Sequence, residues 1–215
     1  MCTGLGVGLG EVGTDSVFRR SYSALVLTEC IERDSRMGLV ATDEVLAWGD
    51  RLSSWFVREQ DLRGFIPGHG WAHAIAHGAD AIGALARSPR LGANELTVLL
   101  DVIADRLALP TGEFFVAGEV DRLALAVMHV LRRDLLDIKL LEPWVVRVAN
   151  HASPGGSYDV HPFRVNGNVQ AFLRALQLQL ALAKPQPAIR SDLLLVLVAQ
   201  LTRTNASYLG APRRH

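Results

Sequence analysis

The sequence predicts an all-α fold, an irregular helical-repeat stack of about eight antiparallel helices. Three observations carry that prediction. Hydrophobic residues make up 49% of the 215 positions but aromatic residues only 7%, and the apolar set is dominated by Leu and Ala, which lose little rotamer entropy in a helix. Apolar positions recur at helical spacing, and no stretch shows the convincing period-2 alternation of a strand. The breaks between these segments are short, so successive helices must pack as antiparallel neighbours, each pair burying its face on the next. One α-helical domain over 15–208 accounts for the length.

Each element has its own signals. Residues 1–14, MCTGLGVGLGEVGT, are too glycine-rich for a helix and are expected to form a flexible leading segment. Thr14 or Asp15 can then cap a first helix with Phe18, Tyr22, Leu25, Val26 and Ile31 at helical spacing. A second helix spans 40–59, with Thr42 as a cap and Val45, Leu46, Trp48, Leu52, Trp55 and Phe56 as its apolar face. DLRGFIPGHG (61–70) is punctuated by Gly and Pro and reads as a loop. The third helix covers 70–87 and stops before Pro89; Asn94 caps a fourth, which Pro110 and Gly112 end. A fifth helix is expected over 113–133 and a sixth over 135–150, followed by the longest internal loop, SPGGSYDVHPF (153–163). Asn166 or Asn168 starts a seventh helix to 183, KPQP breaks it, and 190–204 is the eighth. Residues 209–215 are expected to be a disordered basic tail.

Composition narrows the function. Lys plus Arg and Asp plus Glu both number 22, without the clustered positive excess that a phosphate backbone attracts, so nucleic acid is not expected as a partner. Two cysteines, Cys2 and Cys30, make neither a disulfide framework nor a zinc ligand set. The chain opens without a basic region leading into an apolar one. Its longest apolar run, 193–199, is far shorter than the roughly 20 residues that span a bilayer. A cytoplasmic protein with no membrane partner is the expectation.

The stretch GHGWAHAIAHGAD (68–80) concentrates three of the seven histidines. At about 100° per residue, His73, His77 and Asp80 fall near 0°, 40° and −20° on one helix face. Ile75 and Ile82 lie opposite, and Ala72, Ala76, Ala79 and Gly83 form a small-residue flank that another helix could approach closely. Imidazoles at i and i+4 can reach one metal ion, and a carboxylate completes a two-His-one-carboxylate set. His73, His77 and Asp80 could therefore hold a divalent metal such as zinc. They could equally act as general acid and base, or form a polar seam between packed helices. The glutamate of a zinc-protease HExxH helix is absent, with Ala74 in its place.

Longer motifs point to a family. DSVFRRSYSALVL (15–27), EQDLRGFIPGHGWAHAIAHGAD (59–80), EVDRLALAV (119–127) and NVQAFLRALQLQL (168–180) occur in the order seen in the bacterial domain-of-unknown-function family two-seven-eight-five, which this chain resembles. Members carry F-x-RSFSAL, E-x-DLRG followed by GWAH-x-x-AH-x-AD, E-D-x-R-L and N-x-x-x-FLR-x-L. The resemblance implies an α-helical, HEAT-like repeat stack and implies no activity. Two departures stand out: Val120 replaces the acidic residue of E-D-x-R-L, and members usually have more helices before F-x-RSFSAL.

The polar positions that match are Arg20, Ser21, Asp61, Arg63, Trp71, His73, His77, Asp80, Glu119, Arg122, Asn168 and Arg174. Ser21 lies in mid-helix without a paired base in sequence and is not expected to be a nucleophile. The leading expectation is a small-molecule enzyme centred on His73, His77 and Asp80, with Glu119 and Arg122 on a facing helix. Asp61 and Arg63 would sit at the rim, and Arg63 or Arg122 would clamp an anionic substrate group. Trp71, Arg20, Asn168 and Arg174 complete the expected substrate-binding set. Hydrolysis, elimination and cyclisation all suit these groups. The rival expectation is a non-catalytic binding or scaffold protein, a common use of helical repeats. Phe18, Tyr22, Leu25 and Val26 leave an apolar face on the first helix, which predicts a homodimer through the N-terminal helices.

Overall fold

A computed structural model describes residues 2–153 and 162–210. Most of the expected loop at 153–163, and the expected tail beyond Gly210, lie outside the described residues. The helices are α1 (Ser16–Met37), α2 (Thr42–Arg58), α3 (Ala74–Arg87), α4 (Ala93–Ala108), α5 (Glu119–Leu131), α6 (Ile138–Asn150), α7 (Pro162–Leu182), α8 (Arg190–Thr204) and a short α9 (Ala206–Leu209). They form two layers. Helices α1, α3, α5 and α7 pack side by side in that order, and α2, α4, α6 and α8 form the second row behind them. This is the all-α stack of antiparallel neighbours that the periodicity predicts.

Helix α3 is the centre of the first layer, between α1 and α5, with α2 behind it. Its small residues make this possible. A Cβ on Gly78 would lie 2.3 Å from the Phe56 ring, and one on Gly83 would lie 3.2 Å from the His129 ring and 3.7 Å from the Ala126 Cα. The small-residue flank thus admits α5, as expected. The helix is nevertheless buried on every side, not only along an Ile75–Ile82 stripe.

Three local expectations are corrected. Residues 2–6 form a 3-10 helix that buries Cys2 and Leu5 against α1 and α2, so the first part of the leading segment is packed, while residues 10–14 are exposed. The third helix begins at Ala74, because a small antiparallel hairpin precedes it, pairing Phe65 with Trp71 and Ile66 with Gly70. Pro67 and Gly68 turn that hairpin; Gly68 has φ 79°, and the His69 N–H donates to the Ile66 carbonyl at 3.0 Å, the geometry of a Pro-Gly type II turn. The fifth helix begins at Glu119, after Gly118 at φ 91°. The Asn168 side chain holds the preceding loop by accepting from the Phe115 N–H at 2.8 Å and donating to the Glu113 carbonyl at 3.0 Å.

What holds the leading segment is a buried ion pair. Arg20 is 0% exposed and donates to both carboxylate oxygens of Glu59, at 2.5 and 2.9 Å. Its remaining N–H groups go to the carbonyls of Val7, Gly8 and Glu11 and to the Ser16 hydroxyl. Glu59 also accepts from the Trp55 indole and from the Gln60 and Asp61 N–H groups. Removing one partner strands a charge out of water, at a cost of about 3–5 kcal/mol. Arg20→Leu is therefore expected to lower urea stability by about that amount, and Arg20→Met with Glu59→Gln to lose less than the single change. Equal stability of Arg20→Leu and the parent would refute the assignment.

Candidate functional site: an imidazole cluster at the start of α3

The hairpin delivers His73 to the first position before α3. Its N–H donates to the Arg63 carbonyl at 3.1 Å, while its own carbonyl accepts the His77 N–H at 3.0 Å. This forces His73 into the left-handed region, with φ 51° and ψ 38°, where an L-residue is disfavoured by roughly 1–2 kcal/mol. The expectation that His73 occupies the same helix as His77 and Asp80 is therefore incorrect. Backbone strain of this kind clusters at functional sites.

The rings form a chain. Phe65 meets Trp71 edge to face at 5.1 Å, Trp71 stacks on His73 at 4.4 Å, His73 meets His77 at 5.9 Å, and His77 meets Tyr22 of α1 at 5.2 Å. The outer rings of Phe65, Trp71 and Tyr22 are exposed, while His73 and His77 are buried. Trp71 thus sits on the hairpin with part of its ring in solvent.

His73 Nε2 lies 3.1 Å from the Ala117 carbonyl oxygen and 3.4 Å from Glu119 Oε1. A carbonyl only accepts, so Nε2 carries the proton and Nδ1 the lone pair in the neutral ring. Glu119 is 3% exposed and is itself fixed by the Ala117 N–H at 2.7 Å. Gly64 lets the loop lie over this carboxylate, since a Cβ there would come within 3.2 Å of Glu119 Oε1.

His77 is held neutral. Burial pushes its pKa down to about 4, helped by the neighbouring His73 and Arg122 and opposed by a hydrogen bond to the Ser21 backbone. Its Nδ1 is buried without a hydrogen-bond partner. Asp80 turns away from the imidazoles to Arg122 Nη1 at 2.9 Å, and burial raises its pKa against the pull of Arg122. With Glu32, Arg87 and His129, this pair lines a cavity of ≈ 250 Å3 between α1, α3 and α5. Burial likewise pushes the His129 pKa down to about 4.

The structure thus separates the expected site. His73, His77, Glu119 and Trp71 come together; Asp80 and Arg122 form an adjoining pair. No group of three or more His, Cys, Asp or Glu side chains among the described residues is placed to hold a metal ion, so the expected His73, His77 and Asp80 ligand set is not assembled. The reason is the left-handed turn at His73, which takes its ring to Trp71 and Glu119. Asp61 and Arg63 bind each other through two contacts, at 2.7 and 2.6 Å. They also tie down the leading segment through the Gly13 N–H and the Thr14 carbonyl. Arg20 and Asn168 are internal ties as described, and Arg174 donates to Asn205 near α8, away from the cluster. Arg20, Asp61, Arg63 and Asn168 are thus engaged in internal ties, whereas Arg174 is exposed and lines a separate cavity with Asn205 and Tyr208. Sequence reasoning passed over Tyr22 and Glu59. Tyr22 sits on an apparent apolar face, whereas Glu59 opens the E-x-DLRG segment and was already visible there.

The described helices include none long and apolar enough to cross a membrane. A family model described as "Protein of unknown function (DUF2785)" matches residues 5–178, and the chain belongs to that family. No curated protein and no solved structure matches it.

A histidine kept neutral by folding makes stability depend on pH. The contribution is complete above the ordinary imidazole value of 6.5 and is lost as pH falls toward about 4, because the unfolded chain then binds protons that the folded chain refuses. The urea midpoint is expected to drop between about pH 7.5 and about pH 5, and to drop less in His77→Gln. Parallel profiles for the two proteins would show that His77 ionises freely in the fold.

Proposed function

We propose that this member of the DUF2785 family is a small-molecule enzyme working by general acid–base catalysis, with the His73 imidazole as the proton-transfer group. The supporting observation is the buried His73, held in a strained backbone conformation against Glu119 and the Ala117 carbonyl. That pairing orients the ring and sets its tautomer, as a carboxylate does for a catalytic imidazole. Trp71 and Phe65 offer exposed ring surface for a flat or apolar part of the substrate. Arg122, half-buried and held at one N–H by Asp80, can receive an anionic substrate group. Hydrolysis, elimination and cyclisation all need the proton transfer that His73 supplies.

The protein and its His73→Gln variant, each incubated with a mixed metabolite extract and followed by mass spectrometry, test the reading. The parent is expected to deplete a small molecule, and His73→Gln to slow this by about 10²–10⁴-fold with an unchanged far-ultraviolet spectrum. Depletion that survives His73→Gln would overturn the proposal. A second reading, a non-catalytic binding protein, is favoured by one observation: Arg20, Asp61, Arg63 and Asn168 are all spent on internal ties. Capture of a metabolite without its conversion would select that reading.

A cytoplasmic homodimer belongs to the same proposal. On α1, Tyr22 and Val26 are exposed while Phe18 and Leu25 are half-buried, and a second copy pairing through this face would cover them. Light scattering at micromolar concentration is expected to report twice the 23.4 kDa chain mass; a monomer would retire the dimer.

A further inference from the structure

A cavity of ≈ 700 Å3 opens between the leading segment, the end of α2 and the loop after α4. Its size lies within the roughly 300–1,000 Å3 typical of small-molecule sites. Leu9, Val12, Leu62 and Leu109 give it apolar walls, and Arg58 and Arg106 give it cations. None of the imidazole cluster lines it.

Arg106 is the unusual member. It lies on the buried stripe of α4, three residues beyond Ile103, and is 3% exposed. Its Nη1 donates to the carbonyls of Val57 and Glu59, at 3.4 and 2.8 Å, while its Nε has no partner. The other buried guanidinium among the described residues, Arg20, has the Glu59 carboxylate beside it. Glu59 exerts an attraction on Arg106, but both its oxygens are taken by Arg20, Trp55 and backbone N–H groups. Two buried guanidiniums therefore share one carboxylate, and a positive charge is left over at the cavity wall. Burial pushes the Arg106 pKa down to about 10, which leaves it charged at neutral pH and marks the cost of keeping it dry. Buried charge is retained where something pairs with it.

We propose that this cavity binds a small organic anion, with carboxylate or phosphate oxygens on Arg106 and an apolar body along Leu9, Val12, Leu62 and Leu109. A guanidinium suits both anions, since its planar N–H groups match two oxygens at once. Arg58, exposed at the mouth, adds a second positive charge that draws the anion in.

Calorimetric titration of the full chain with hexanoate, hexyl phosphate and 1-hexanol in low salt tests the site. The anions are expected to bind at least about tenfold more tightly than the alcohol of equal chain length, the factor of one charge-assisted hydrogen bond. Whichever anion binds more tightly identifies the class, carboxylate or phosphate monoester. Arg106→Gln is expected to remove the preference for anions. Because Arg106 also holds two carbonyls of the α2 terminus, two milder variants stand beside it. Arg58→Glu reverses the charge at the mouth, and Gly112→Trp fills it, since a Cβ at Gly112 meets nothing within 4 Å. Both should weaken hexanoate several-fold while leaving the helical spectrum intact. Equal binding of hexanoate and hexanol, no anion binding up to millimolar concentration, or hexanoate binding unchanged in both mild variants would each overturn the proposal. None of these outcomes bears on His73, whose test is turnover.

Discussion

Arg20 and Glu59 meet where α1, the end of α2 and the leading segment converge, and the edge of the stack that carries the imidazole cluster takes its position from that pair. Arg20 collects three carbonyls from residues 7–11, while Glu59 collects the Trp55 indole and the first two N–H groups of the chain leaving α2. The direction of residues 60–63 follows. Asp61 and Arg63 then clamp the segment through Gly13 and Thr14, the hairpin turns at Pro67 and Gly68, and His73 arrives at the head of α3. Water is excluded from the pair, so its geometry must be nearly ideal to offset desolvation. The several hydrogen bonds on each side meet that demand.

The second constraint is steric. Helix α3 is enclosed by α1, α2 and α5, and its alanines and glycines let these neighbours close in. A helix so enclosed reaches the cavity between α1 and α5 only along the narrow strip of Ala79, Asp80, Gly83 and Arg87. Its polar groups lie at its ends and along this strip: His73 and His77 at the first turn, and Asp80 where Arg122 of α5 can reach it. The heads of α1, α3 and α5, together with the loop before α5, thus meet at one edge of the stack. Loops on a rigid scaffold commonly carry function in this way.

Polar residues that share a family pattern divide into two kinds here. Arg20, Asp61, Arg63 and Asn168 tie segments that have little regular structure of their own to the helices. Their partners are largely backbone groups, which would otherwise be buried without hydrogen bonds. His73, His77 and Glu119 are different, since they place a carboxyl group and two neighbouring imidazoles beside exposed rings. Arg106, which lies outside that pattern, differs from both, because its charge is not matched by a carboxylate of its own.

Fold class, most helix spans and the family motifs were legible from the sequence by itself, because a helix writes its period into neighbouring residues and glycine and proline mark where it ends. Helix α8 needed nothing more, and Gly83 in the small-residue flank correctly signalled a close helix contact, although Ala72 of that flank precedes the helix. Arg20 and Arg106 also carried a signal, as charges set on otherwise apolar stripes. The tertiary structure decided who meets whom. That His73 leaves the helical register depends on a hairpin anchored to residues far upstream. That Asp80 faces Arg122 and not the imidazoles depends on how α5 lies along α3, 42 residues away in sequence. The start of α5 depends on Asn168, 53 residues beyond the loop it holds. Such pairings are set by the stacking of whole helices, and no local pattern encodes them.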